Sequence, residues 1–246
     1  MLSLRWFAGF ALAAAAMAQS PPVVVELFTS EGCSSCVAAD ELFGQIESGR
    51  IVWNSPVDVI TLGEHVDYWD SAEWRDRFSS PLFSSRQQDY GIAFRAREVF
   101  TPQVVVGGQT QCIGSDFGCI QRAVVEATHA PRGAVSIHVG ANDVVSVSVQ
   151  HLPQSARLAD VLMGITESSI RTNITGGENR GRRAVHTAVV RSLTQLSRLD
   201  LKKSGAYNAD VRLNLNPRWD RQNMKLVLLV QDRTTRRILG AAAEHL

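Results

Sequence analysis

Charge of one sign is what this chain most lacks. Its 25 Lys and Arg face 24 Asp and Glu, leaving +1 at pH 7. General nucleic-acid binding needs a strong basic footprint, so that class is excluded, and bulk charge implies no partner. Cysteine is scarce, at four residues. No second C-x-x-C and no H-x3-5-H pair occurs, so a zinc site of the usual spacing has no second half. Long apolar runs are missing too: Phe7 through Ala16 is too short to span a bilayer comfortably, and no stop-transfer run follows. There is no internal repeat and no long low-complexity linker. A chain of 246 residues is long enough for one large domain or two modest ones.

The N-terminus reads as an export signal over residues 1–18. Arg5 supplies the positive segment, Phe7 through Ala16 the apolar one, and Ala16-Met17-Ala18 the small-residue cleavage pattern. No cysteine lies near the cleavage point, which argues against a lipoprotein. The expectation is an exported protein, periplasmic or secreted, with no integral span after cleavage; an uncleaved N-terminal anchor is the alternative. All four cysteines (Cys33, Cys36, Cys112 and Cys119) fall in the mature part, and an even count suits an oxidising compartment.

The richest motif is Cys33-Ser34-Ser35-Cys36, placed directly after the apolar run Val23–Phe28. A strand that ends in C-x-x-C and feeds a helix is the sequence form of a thioredoxin-type redox site. Two intervening residues let the first cysteine cap a helix while the second lies within disulfide reach. Free N–H groups and the helix dipole then favour the first thiolate. Cys33 is thus the candidate nucleophile and Cys36 the resolving thiol. Half of a metal site and a purely structural disulfide are the competing readings.

Two halves differ in periodicity. To about residue 131, strand and helix signals alternate: Val23–Phe28, a helix from Val37 to Ile46 stopped at Gly49, then strand Val57–Leu62. A mostly helical excursion follows over about residues 69–97, with Ser71 capping one helix and Ser84 or Ser85 another after Pro81. Gly107-Gly108 joins Gln103–Val106 to Gln109–Ile113 as a hairpin, and Ser115 or Asp116 opens a last helix. That order is the one expected of an α/β thioredoxin-like domain over residues 19–131. Residues 132–246 instead show strands of alternating pattern at Val135–Val139, Val145–Val149 and Val211–Leu215. Further strand candidates are Arg157–Glu167, Ala184–Leu196, Leu226–Gln231 and Ile238–Ala243, the second and last with helical alternatives. This second half is predicted to be mainly antiparallel β and sandwich-like.

Three features place chemistry near the cysteines. Thr101-Pro102 opens the hairpin where thioredoxin-like proteins carry a cis-proline facing the disulfide; Thr101 then borders a substrate groove. Glu26 interrupts an apolar strand, and burial would raise its pKa and suit it to relay the Cys36 proton; a solvent-facing edge position is the alternative. His65 follows the second strand and, if the two strands are parallel, comes near Cys33 as a proton shuttle or thiolate stabiliser. Trp69 and Trp74 are candidate groove walls. Cys112 and Cys119 are spaced for a structural disulfide, with a relay to the first pair as the alternative.

The combination resembles an uncharacterised family of exported bacterial proteins with a thioredoxin-like core, domain of unknown function 1223. The resemblance rests on Val24 and Glu26-Leu27-Phe28-Thr29-Ser30 with Gly32-Cys33-Ser34-Ser35-Cys36, Ala39-Asp40, and His65 through Asp70. It extends through Trp74 with Asp76, Phe78-Ser79-Ser80-Pro81, Thr101 through Val106, Gly177 through Arg182, His186 and Val189-Val190-Arg191. Val37 stands where that family carries proline, and Cys112/Cys119 lies outside its pattern. The resemblance implies fold and export but no substrate.

The function expected from the sequence is an exported thiol–disulfide oxidoreductase acting on protein or small thiols, needing no cofactor and no resident metal. The rivals are copper delivery by Cys33, Cys36 and His65, a binding module whose disulfide is a staple, and a thiol peroxidase.

Overall fold

The computed structural model describes residues 21–246, so the expected export signal at 1–18 lies outside the described residues. Strand β1 (Val23–Thr29) leads into helix α1 (Val37–Glu47), strand β2 (Val59–His65), helix α2 (Pro81–Phe94), the hairpin β3 (Gln103–Val106) and β4 (Thr110–Ile113), and helix α3 (Phe117–Thr128). Strands then follow without further α-helix: β5 (Ala134–Val139), β6 (Val144–Gln150), β7 (Leu158–Glu167), β8 (Ile170–Asn173), β9 (Arg183–His186), β10 (Val189–Asp200), β11 (Tyr207–Arg212), β12 (Met224–Asp232) and β13 (Ile238–His245). The result is a mixed α/β molecule with large, mostly antiparallel sheets and few helices.

Eight strands form one sheet in the order β13-β12-β7-β10-β2-β1-β3-β4. Only β1–β2 and β2–β10 pair in parallel. The β2–β10 seam is short, with Val189 opposite Gly63, and the approach is close: a Cβ at Gly63 would sit 3.0 Å from the Thr187 carbonyl oxygen. The sheet therefore runs unbroken past residue 131, where the sequence changes its periodicity.

The apolar pattern explains the layers. On β1, Val23, Val25 and Leu27 point to one face and pack with Phe43 of α1 and Val124 of α3. Val24 points to the other, where Ile60, Leu62, Val227 and Leu229 meet Phe83 of α2. Burial on both faces is why β1 reads as a continuous apolar run rather than an alternating one. The far half of the large sheet is covered by the three-stranded sheet β11-β6-β5, whose Val145, Val147 and Val149 interlock with Val161, Leu226, Leu228 and Val230. Ser146 and Ser148 alternate outward, as the period of two dictates.

Three local expectations are corrected. Trp69–Ser80 holds no helix capped by Ser71. Short polar side chains capture the backbone donors instead: Ser71 Oγ accepts from Glu73 and Trp74, Asp70 from the Asp76 N–H (3.1 Å), and Asp76 from the Phe78 N–H (2.9 Å). Helix α2 is capped by Ser80, not Ser84 or Ser85. Pro81 at the first helical position forces that start, and Ser80 Oγ accepts from the Leu82 N–H at 3.2 Å. The candidate strand Ala184–Leu196 is two strands, broken where Ala188 takes a positive φ of 48°; neither it nor β13 contains helix. Among the described residues no helix is long and apolar enough to cross a membrane.

Candidate functional site

Cys33 stands at the N-cap position of a 3-10 turn, Ser34–Cys36, that runs directly into α1; its side chain makes no capping hydrogen bond. They are joined as a disulfide. Both are fully buried, although Ser34 and Ser35 between them are exposed. Cys33 Sγ lies 3.3 Å from Ser35 Oγ and accepts a hydrogen bond from Thr101 Oγ1 at 3.4 Å. Thr101 is held in turn by the Trp69 indole N–H, which donates to its Oγ1 at 2.7 Å. The Thr101–Pro102 peptide is cis. The structure thus brings Cys33, Cys36, Thr101, Pro102 and Trp69 together. Its close packing depends on Gly114: a Cβ there would lie 2.8 Å from the Cβ of Ala39 and 2.9 Å from that of Pro102.

The loop before Cys33 is tied down by Glu31. Its N–H donates to Asp76 Oδ2 (2.8 Å) and its carbonyl accepts from Asn179 Nδ2 (2.9 Å). Its carboxylate receives the Trp74 indole N–H on Oε2 (3.1 Å) and lies 2.8 Å from His186 Nε2 through Oε1. Asn179 Nδ2 also reaches the Cys33 carbonyl at 3.0 Å, and the Ser34 N–H donates to Glu178 at 3.1 Å. The turn between β8 and β9 is therefore latched onto the cysteine loop across 146 positions of sequence.

Around this latch lies a cluster of ionisable groups. His65 Nδ1 is 2.6 Å from Asp76 Oδ2, and the His65 and His186 rings meet edge-on at 5.2 Å, with Phe78 against both. Burial depresses the His65 pKa, but the Asp76 charge and hydrogen bond outweigh it and the net shift is upward. Asp76 moves the other way. Burial raises it, yet His65 and the N–H groups of Glu31 and Phe78 bring it down to about 2. Asp40 lies one helical turn beyond Cys36 on α1, accepting from Thr29 Oγ1 at 2.9 Å. Burial raises its carboxyl to about 6, with His65 and His186 opposing. Asp40 also borders a cavity of about 240 Å³ whose wall includes His186, Asn179, Arg182 and Arg183.

One expected site residue lies on the opposite face of the sheet. Glu26 is buried, not at an edge, but it points to the α2 face, opposite the α1 side that carries Cys36. There it pairs with Arg86 Nε at 2.7 Å and accepts from the Tyr90 hydroxyl. Strand alternation decides this: Val25 and Leu27 face α1, so Glu26 cannot. Arg86 also faces Glu64, 3.2 Å away, whose carboxyl is pushed well above the ordinary range by burial and by the Glu26 charge. His65 makes its polar contact with Asp76 rather than with a cysteine, and among the described residues no three His, Cys, Asp or Glu side chains converge as a metal shell. Cys112 and Cys119 are bonded, fastening β4 to α3.

Sequence reasoning passed over Glu31 and Asp40 as candidates, read Trp74 as a groove wall rather than a partner of Glu31, and gave Asp76, Asn179 and His186 no task. Asp40 was legible as a polar residue four positions after Cys36 on a helix. Glu31 carried no such signal, because its partners come from distant segments.

The fold has solved counterparts. A protein from Agrobacterium tumefaciens, AGR_C_4864, is similar at a TM-score of 0.72 and 24% identity, covering 92% of this chain and 95% of that one. HBP35 of Porphyromonas gingivalis is similar at a TM-score of 0.66 and 13% identity, over 93% of this chain and 76% of that one. At these identities the likeness is one of fold alone. No curated protein matches the chain. A family model described as a protein of unknown function, DUF1223, matches residues 24–231.

Proposed function

This chain belongs to the DUF1223 family of proteins of unknown function, and from its own site we propose that it is an exported thiol–disulfide oxidoreductase with a thioredoxin-like core. The observation that carries the reading is the placement of Cys33. It stands at the N-cap position of the turn that leads into α1, and its sulfur accepts a hydrogen bond from the Thr101 hydroxyl beside Pro102. A helix start and a hydroxyl donor both favour negative charge on that sulfur. Two disulfides among the described residues suit an oxidising compartment.

In the reducing direction, the Cys33 thiolate attacks a substrate disulfide, forming a mixed disulfide and expelling one substrate thiolate. Cys36 then loses its proton and attacks the Cys33 sulfur, expelling the second thiolate and restoring the Cys33–Cys36 bond. The substrate gains the two electrons that the dithiol gives up. Running in reverse, the same steps oxidise a dithiol client. Asp40 replaces Glu26 as our candidate acceptor of the Cys36 proton, because it lies one turn along the same helix and borders the cavity. Ser35, exposed and 3.3 Å from the Cys33 sulfur, is the group an incoming sulfur displaces.

Full burial of both cysteines favours a second reading, a binding module in which Cys33–Cys36 is a staple. The reduction potential separates the two. Alkylation and mass spectrometry across a glutathione ladder should place the oxidoreductase's pair above about −270 mV, whereas resistance below about −300 mV marks a structural bond. The Cys36→Ser variant should accumulate mixed disulfides through Cys33, and a staple would not.

A further inference from the structure

Glu31 engages every polar group it owns with a different residue, and those residues come from separate parts of the chain. Asp76 takes its N–H from the β2–α2 loop, Asn179 meets its carbonyl from the β8–β9 turn, and Trp74 and His186 face its two carboxylate oxygens. The side chain is wholly buried, two residues before Cys33. Each oxygen faces a ring N–H donor or ring nitrogen, the arrangement that suits an ionised carboxylate, which has only acceptors to offer. A fixed negative charge inside the cysteine loop acts on the neighbouring sulfur more strongly than the same charge would in water.

We propose that Glu31 is a positioning and tuning residue for Cys33. It holds the loop so that the sulfur meets Thr101 and Ser35, and its charge opposes the Cys33 thiolate, keeping the pair less oxidising than the helix start alone would make it. Trp74 and His186 set how much of that charge the sulfur feels. This deepens the oxidoreductase reading and rests on it for its function. It is also a statement about one disulfide's chemistry that can be measured whatever the protein's client.

Reduction by glutathione defines the balance. Two glutathione thiols become one glutathione disulfide and give up two protons; the Cys33–Cys36 bond breaks, Cys36 takes up one proton, the other goes to solvent, and Cys33 is left as thiolate. Whatever stabilises that thiolate drives the exchange toward the reduced protein and lowers the pH midpoint of Cys33 alkylation. The other titratable or charged groups around the loop are Asp40 on α1, His65 on β2, Asp76 in the following loop, Glu178, Arg182 and Arg183 near the latch, and His186 on β9. All of them remain in each variant described next.

The test measures the glutathione exchange constant and the pH profile of Cys33 alkylation on the full mature chain, with melting temperature in parallel. Glu31→Gln keeps shape and removes charge. It should raise the exchange constant tenfold or more, about 30 mV toward oxidising, and move the alkylation midpoint to lower pH. Trp74→Phe removes one donor from the carboxylate and should move both in the opposite direction, which keeps the proposal open to test should Glu31→Gln fail to fold. Asn179→Ala loosens the latch without touching the charge and should lower the melting temperature alone. Exchange constants and midpoints within twofold of wild type in both Glu31→Gln and Trp74→Phe would overturn the proposal. So would an Asn179→Ala variant that reproduces the Glu31→Gln shift, because loop loosening would then be the cause. A wild-type pair that no glutathione ratio reduces would sink the oxidoreductase reading alone, since the variant shifts are then read against dithiothreitol.

Discussion

Asp40 and Asp76 share one small cluster, yet burial wins at the first and pairing wins at the second. Asp40 has only a hydroxyl within hydrogen-bonding reach, so desolvation dominates and its carboxyl rises from 3.8 to about 6. A carboxyl whose folded pKa exceeds its unfolded one contributes stability that is fully present below the unfolded value and lost as pH rises through the folded one. Asp40→Asn should therefore melt higher than wild type at about pH 7.5, with the two converging near pH 4. If Asp40 accepts the Cys36 proton, the same variant should resolve mixed disulfides more slowly above pH 6 despite its greater stability, an exchange of stability for function that is common at active sites. Thermal melts across pH and stopped-flow resolution rates read the two effects separately. Asp76, lowered to about 2, works the other way, contributing stability that is lost as pH falls through that value.

Glu26, Arg86 and Glu64 form a buried triad on the opposite face. Arg86 is the cation between two carboxyls, so Arg86→Met leaves buried charge unpaired and should cost about 3–5 kcal/mol in chemical denaturation. Glu64 is held well above the ordinary range, so an amide resembles its protonated form. Glu64→Gln should change stability at pH 7 by less than about 1 kcal/mol. A large loss there would show that Glu64 works as a carboxylate.

At the scale of elements, the site is a meeting of one helix start, one hairpin start and one distant turn. Helix α1 presents the cysteines, the segment entering β3 brings Thr101 and Pro102, and Gly114 after β4 lets these approach α1. The Cβ introduced by Gly114→Ala would press on two other Cβ atoms, neither of them the free end of a flexible side chain. Overpacking of this kind costs about 1–3 kcal/mol, and strain next to Pro102 should also weaken the Thr101 hydrogen bond to Cys33. Equilibrium denaturation should show the loss, and the alkylation rate of reduced Cys33 should shift with it. The cysteine motif, the proline and the hairpin glycines were all legible because each is a local rule: C-x-x-C at a strand end, proline before a strand, and Gly107-Gly108 with φ of 59° and 66°. The turns of Trp69–Ser80 were less legible, because serine and aspartate there serve the backbone as readily as they would cap a helix.

At the scale of the molecule, the two halves share one sheet and one site. Gly107 accepts a backbone hydrogen bond from the Ile238 N–H across the joint. Arg86 and Gln231 meet at 2.9 Å, and Lys225 reaches Glu47 at 2.6 Å. Val227 and Leu229 share a core with Val24 and Phe83. With apolar and polar contacts both crossing the joint, unfolding should be a single calorimetric transition. A fragment ending at residue 131 should lack a cooperative melt, because it exposes the edge of β2 and loses Asn179 and His186 from the cysteine loop. Two resolved transitions in the intact chain would contradict this.

What the sequence determined on its own was whatever obeys short-range rules. Periodicity marked most of the strands and helices, burial on both faces made β1 a continuous apolar run, and C-x-x-C put Cys33 just before a helix. Only the tertiary structure decided which carboxylates lie on the cysteines' side of the sheet. The facing of Glu26 follows from strand parity once the sheet's layers exist, and Glu31 acquires its role from Trp74, Asp76, Asn179 and His186, 43 to 155 positions away. Electrostatic and hydrogen-bonding partners are matters of distance in space, and a chain that returns to its own N-terminal loop through a β-turn leaves no local mark of where it will land.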